Sequence, residues 1–176
     1  MNEIQIYDDV FPLGFRTDLY RFCLNSNFRI GWADNSSIET SMHRSLHCTF
    51  SIDDIERLGL LKAIRDSKLA DELAGYVVST CVLNLSTPAD VNFVHVHGED
   101  KVLLFYVNLV WQDGYHGETL FLTEDQKSVR YASLYTPNRV VSFNAKIPHT
   151  IRPQSYLSPF YRFTLSLMLK KTTDET

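Results

Sequence analysis

His95 and His97 stand one residue apart in the stretch "VNFVHVHGEDKVLLFYVN", residues 91 to 108, and Glu99 and Asp100 follow at once. Residues two apart on a strand point to the same face, so an extended backbone here turns both imidazoles one way. The chain holds only six histidines, at positions 43, 47, 95, 97, 116 and 149. His149 lies about 50 residues further on, in "IPHTIRP", held between Pro148 and Pro153. A close HxH or HxE pair with a distant histidine suits a mononuclear non-haem iron centre. There, three side chains occupy one face of an octahedron and the other positions stay open to substrate and oxygen. Three imidazoles also form the zinc set of a hydrolytic or hydration site. The bland alternative is a pair of strand histidines satisfied by backbone carbonyls.

The elements that must bring these residues together are legible from periodicity. "IQIYDD" alternates as a short strand, with Asp8 or Asp9 placed to cap a helix carrying Phe11, Phe15, Leu19 and Phe22. "LHCTFSI" reads as a strand. A second helical block begins near Asp53, with Ile55, Leu58, Leu61 and Ile64 on one face and Gly75 as its stop. From Tyr76 onward the texture is β. "YVVSTCVLNL", "VNFVHVH", "KVLLFYVNLV", "ETLFL", "VRYASLY", "RVVSFN", "IPHTIRP" and "FYRFTLSLMLKK" are about eight short strands with turn signals between them. The expected fold is therefore α+β, with N-terminal helices packed on an antiparallel sandwich or barrel of the jelly-roll, cupin-like kind. The expected organisation is one domain over 1-176. Residues 1-75 are helical and strand support, 76-170 the jelly-roll core, and 171-176 a tail.

Length and composition agree with a single globular domain. The 176 residues are 44% hydrophobic and 22% charged, and a net charge of −4 gives no electrostatic reason to expect nucleic acid or an acidic membrane as partner. No apolar run approaches a membrane span, and the N-terminus lacks the pattern of a signal peptide. Cys23, Cys48 and Cys81 are odd in number, widely spaced and outside any CxxC. They read as buried free thiols in a reducing compartment, which places the protein in the cytoplasm.

From Val91 to Leu169 the sequence resembles the prolyl 4-hydroxylase-like iron(II)/2-oxoglutarate dioxygenases, especially their small bacterial and viral members. The matching residues come in order. They are His95 and His97; Tyr106 and Asn108 of "YVN"; Trp111; Gly117 and Glu118 of "HGET"; "TPNRVVSF"; His149; and Arg162 and Thr164 of "YRFTLS". Two positions depart from the family pattern. A Gly-Gly-Glu turn reads His116-Gly117-Glu118, and the family's metal-binding aspartate falls on His97. Three accounts of His97 stand open. It replaces the carboxylate in a three-histidine site, or it pairs with an acid from the adjoining turn (Glu99 or Asp100), or it does not coordinate at all.

The resemblance implies a double-stranded β-helix that binds Fe(II) through His95, His97 and His149, with Glu99 as the alternative carboxylate ligand. It implies that Arg162 holds the distal carboxylate of 2-oxoglutarate, assisted by Tyr106 and Thr164. A planar, permanently charged guanidinium matches a carboxylate bidentately. Arg152 is the rival for that task. The implied activity uses O2 to couple decarboxylation of 2-oxoglutarate to hydroxylation of an amino-acid-like, peptidyl or small-molecule substrate. A three-histidine metalloenzyme of cupin or zinc type without 2-oxoglutarate, and a non-catalytic jelly-roll binding module, are the competing readings. Trp111 is expected to be structural. His43 and His47 read as ordinary histidines, and Asn84 and Asn92 flank the site in sequence.

Overall fold

The computed structural model describes residues 3–31, 45–90, 92–158 and 161–172. His43 and the end of the expected tail, 173–176, lie outside them. Strand β1 (Ile4–Tyr7) leads to helix α1 (Leu13–Leu24), β2 (Arg29–Ile30) and β3 (Leu46–Phe50). Two short helices, α2 (Ile52–Arg57) and α3 (Leu60–Arg65), and a 3-10 turn (Ala70–Leu73) come next. The remaining strands are β4 (Tyr76–Ser86), β5 (Lys101–Tyr106), β6 (Thr119–Leu122), β7 (Val129–Ser133), β8 (Val140–Asn144), β9 (His149–Ile151) and β10 (Arg162–Lys171). They form a seven-stranded sheet in the order β1-β8-β5-β10-β4-β3-β2 and a three-stranded sheet β7-β6-β9, antiparallel at every pairing. This is the α+β jelly roll expected from the alternation, with β1, β2 and β3 of the first half built into the larger sheet.

Three local expectations are corrected. Neither Asp8 nor Asp9 caps α1. The helix starts after Pro12, whose side chain makes no cap bond, while Asp8 is drawn off into a bidentate pair with Arg139 and Asp9 takes a left-handed φ of 52°. The second helical block is two helices rather than one, because Gly59 adopts φ 75° between them. Ile55, Leu61 and Ile64 nonetheless stay buried together. The block opens at Ser51, which exchanges hydrogen bonds with Asp54 in a capping box. Finally, 92–97 is not a ladder strand. It touches β9 at a single bridge, His95 to His149.

Two cores result. On one side of the larger sheet, Phe163, Leu165, Leu167 and Leu169 of β10 pack with Leu19, Cys23, Ile55, Leu60 and Ile64 of the helices. On the other side, between the sheets, Val82, Val102, Leu104, Tyr106, Phe121, Val141, Phe143 and Met168 pack together. The inner layer is where the polar groups collect. No helix among the described residues is long and apolar enough to cross a membrane.

Candidate active site

The bridge between His95 and His149 is closed by two backbone hydrogen bonds of 3.0 Å, one in each direction. One more backbone bond, from His97 N to Ala145 O at 2.9 Å, pins the other histidine of the pair. β9 thus holds His95 beside His149, and Ala145 in the segment leading to it holds His97, without a full ladder. His95, His97 and His149 each present a ring nitrogen, and these atoms lie within 4.8 Å of one another. The Nε2 atoms of His97 and His149 are 3.2 Å apart. Two nitrogens bound at right angles to one metal, each about 2.1 Å from it, would lie about 3 Å apart. Among the described residues this is the one group of three or more histidine, cysteine or acidic side chains so gathered.

Backbone carbonyls orient two of the rings. His149 Nδ1 faces Ile147 O at 2.9 Å and His95 Nδ1 faces Phe93 O at 3.1 Å. Donation from Nδ1 leaves Nε2 as the lone-pair nitrogen, the usual way a ligating histidine is fixed in tautomer and angle. Burial, and then the field of His95, push the His149 imidazole well below its ordinary pKa; its bond to Ile147 opposes this and His97 adds to it. His149 is therefore neutral at physiological pH and able to donate a lone pair.

The acids beside the pair point elsewhere. Glu99 accepts from Ser79 Oγ at 3.2 Å, and Asp100 accepts from the backbone of Lys171 at 2.9 Å, outside the gathered nitrogens. Of the open accounts of His97, the geometry places its own ring at the cluster, not the carboxylate of Glu99.

The three imidazoles line a cleft between the sheets together with Asn84, Ser86, Asp90, Asn92, Thr119, Phe143, Ile151, Thr164, Ser166 and Met168. Arg162 belongs to the same inward face of β10 as Thr164, Ser166 and Met168 and is 0% exposed. Its Nε donates to Gly117 O at 2.9 Å, and its Cζ lies 4.8 Å from the ring centroid of Tyr135 and 5.8 Å from that of Tyr106. Nη1 and Nη2 are buried with no hydrogen-bond partner among the described residues, as is Thr164 Oγ1. The Tyr106 hydroxyl donates to Thr119 Oγ1 at 2.8 Å. Gly117 is required at its position. Its φ is +86°, and a Cβ there would stand 3.0 Å from Cδ and Nε of Arg162 and 3.4 Å from Trp111.

Other expected residues fall around this centre. Trp111 donates to His116 O at 2.8 Å and packs on Tyr135, a wall of the arginine's seat. Asn108 accepts from Phe163 N and from the Tyr135 hydroxyl and donates to Tyr161 O, tying the strand ends. Arg152 is exposed, 3.4 Å from Glu118 and 3.3 Å from His116, away from the buried guanidinium. His47 faces Gly31 O and lines a separate groove. Cys23, Cys48 and Cys81 are free thiols, and burial raises all three.

Tyr135 and Thr119 were not singled out from the sequence. Thr119 shares the inward parity of Phe121 in "ETLFL", a signal that alternation contains. Tyr135 sits past the end of β7 in a loop, where no spacing rule applies.

No protein-family model matches the sequence, and no curated protein is significantly similar to it. Solved structures are similar in fold. A prolyl-4-hydroxylase of Pseudomonas putida is 13% identical with a TM-score of 0.68, covering 96% of this chain and 93% of that one. A prolyl hydroxylase of Trichoplax adhaerens, in complex with a peptide fragment of the hypoxia inducible factor oxygen degradation domain, is 16% identical with a TM-score of 0.72, covering 97% and 84%. HygX of Streptomyces hygroscopicus, with nickel and 2-oxoglutarate bound, is 10% identical with a TM-score of 0.69, covering 97% and 83%. The chain has the jelly-roll fold of the prolyl 4-hydroxylases and related 2-oxoglutarate oxygenases, with three histidines gathered in its cleft.

Proposed function

We propose that this protein is an iron(II)/2-oxoglutarate-dependent oxygenase that hydroxylates an amino-acid-like, peptidyl or small-molecule substrate. In this reading the whole chain is one such domain, working in the reducing cytoplasm. The observation that carries the reading is Arg162. A buried cation with two unpartnered terminal nitrogens is costly, and a carboxylate arriving from solution removes that cost while forming charge-assisted hydrogen bonds. Thr164, unpartnered on the same face, supplies a hydroxyl beside it. The nearby histidines fit a divalent ion that chelates the other end of a 2-oxo dicarboxylic acid.

His95, His97 and His149 would hold the iron, with the rings of His95 and His149 set by the backbone carbonyls described above. Bound there, iron(II) supplies the O2 activation that joins decarboxylation of 2-oxoglutarate to hydroxylation. The chain's own part is geometric and electrostatic. Arg162, with the Thr164 hydroxyl, anchors the distal carboxylate, and the Tyr106 ring, whose own hydroxyl is given to Thr119, lies beside the guanidinium, so that the 2-oxo group is presented to the histidines in one register. Phe143, Ile151 and Met168 keep the cleft floor dry, while Asn84, Ser86 and Asp90 give its remaining wall a polar lining for substrate. The peptide bound by the Trichoplax neighbour and the hygromycin B bound by HygX support an enzyme whose substrate is a peptide or a small polar molecule.

The all-imidazole set favours one second reading. Neutral nitrogen ligands hold zinc as readily as iron, so a zinc-type enzyme that ignores 2-oxoglutarate is the rival. Anaerobic titration with Fe(II) and 2-oxoglutarate separates the two. The oxygenase gives a weak visible charge-transfer band, and on admitting O2 it forms succinate. His149→Ala abolishes both. Absence of the band in the wild-type protein, with zinc retained through purification, would decide for the rival.

A further inference from the structure

The seat of Arg162 poses a physical problem. A guanidinium stripped of water needs compensation, yet any carboxylate supplied by the protein would consume the donors a ligand must use. The field of the Glu118 carboxylate favours the charged form from a distance, and no group of the described residues takes a hydrogen bond from Nη1 or Nη2. One neutral acceptor, Gly117 O, takes Nε. The ring of Tyr135, 4.8 Å from Cζ, offers a π face, which attracts a cation without accepting its N–H bonds in plane. We propose that Tyr135 is a positioning residue for cosubstrate binding: it holds the guanidinium against its ring so that both terminal nitrogens point to a dicarboxylate. This inference rests on the oxygenase reading above.

The ring itself is built to stay in place. It stacks on Tyr106 at 4.5 Å with an interplanar angle of 17° and meets Trp111 at 4.5 Å. Its hydroxyl has its one proton between two acceptors, Asn108 Oδ1 and Phe163 O, and accepts from Asn108 N. Those bonds occupy the hydroxyl, so Tyr135 acts on a ligand through Arg162 and its ring. At the arginine stem, the missing Cβ of Gly117 leaves room for the side chain, since a methyl there would press Cδ and Nε from 3.0 Å.

The test uses the iron-loaded full chain and two 2-oxo acids: 2-oxoglutarate, and 2-oxobutyrate, which lacks the distal carboxylate. Tyr135→Met keeps bulk and loses the π face. The expected result is a roughly tenfold rise in Kd and KM for 2-oxoglutarate, the size of one desolvated cation–π contact. The loss falls on KM rather than kcat, and 2-oxobutyrate binding moves less than about twofold, since it never engages the guanidinium. Tyr135→Phe restores most of the affinity, and in an Arg162→Gln background Tyr135→Met adds nothing. Should Tyr135→Met fail to fold, Tyr135→Leu removes the same π face and must show the same selectivity for the dicarboxylate. Equal losses for both acids, or additivity with Arg162→Gln, would overturn the role of Tyr135 and leave the oxygenase reading standing. No 2-oxoglutarate binding by the wild-type protein would remove the oxygenase reading, and this inference with it.

Discussion

Strand β10 has two faces made of alternate residues, and they obey different rules. Phe163, Leu165, Leu167 and Leu169 pack on helices and are apolar without exception. Arg162, Thr164, Ser166 and Met168 face the smaller sheet, are equally buried, and are mostly polar. Burial is the same on both sides, so burial alone does not tell structure from function. The difference lies in satisfaction. The helix-facing side has nothing left to bond, whereas the inner side keeps the two terminal nitrogens of Arg162 and the hydroxyl of Thr164 unpartnered, and Thr164 lines the cleft. A folded protein tolerates such groups where a ligand completes them.

The strongest way to break this comparison is at Arg162. Arg162→Met should reduce kcat/KM for 2-oxoglutarate by roughly a thousandfold, about 4 kcal/mol, because one partner of a buried charge pair is removed. The same change should leave the unfolding midpoint unchanged or raised, since a desolvated cation is replaced by an apolar chain. Kinetics with varied 2-oxoglutarate and a urea melt check the two halves. On the helix-facing side of the same strand, Leu167→Ala should do the reverse. It should cost about 3 kcal/mol of stability through the cavity it opens, while the surviving folded fraction keeps its affinity for 2-oxoglutarate. If both substitutions changed stability and binding alike, the two faces would not be distinct in kind.

A smaller effect sharpens the contrast with a buried charge that is fully satisfied. Glu72 accepts from the Tyr7 hydroxyl, Ser142 Oγ and Lys101 Nζ. Burial alone would raise its carboxyl, but these three bonds outweigh burial and hold it below the ordinary value of 4.5. Tyr7 is pushed in the opposite direction, to about 12, by burial and by the same carboxylate. A carboxyl whose pKa is lower folded than unfolded contributes stability above the unfolded value and loses it as pH falls through the folded one. Urea midpoints followed downward from neutral pH should therefore drop in the acid range. Glu72→Gln should flatten that part of the curve while lowering stability at neutral pH. An unaltered pH profile in the variant would mean that the cluster contributes no linkage.

Much of this was legible from residue order. Alternation, or a short β-branched and apolar run bounded by turns, located nearly every strand, because a pleat buried on one face imposes a period of two and one buried on both imposes a continuous apolar run. Where it misled, another force competed. "VNFVHVH" alternates as well as any strand, but 92–97 meets β9 only at the His95 to His149 bridge, and its Phe93 and His97 carbonyls face the side chains of His95 and Lys146, so it stays outside the ladders. "SIDDIERLGLLKAIRD" carries one helical stripe, yet Gly59 adopts a left-handed turn that divides it. At the site, the histidine pair and Arg162 were visible by type and spacing. Tyr135 was not, since a loop tyrosine carries no periodic signal and gains its meaning from Arg162, which is remote in sequence and adjacent only in the fold.

The sequence alone therefore determined the α+β class, the run of strands, the metal-ligand chemistry available at His95, His97 and His149, and the presence of one arginine inside an apolar strand. Each of these follows from local period or from side-chain chemistry, which need no knowledge of distant neighbours. Tertiary structure decided the rest. It brought Nε2 of His149 to 3.2 Å from that of His97, turned Glu99 away to Ser79, and left the Arg162 fork open between Gly117 and Tyr135. Those outcomes depend on which strands meet and in what register, and pairing across a sheet is set by the packing of the whole core rather than by any segment of it.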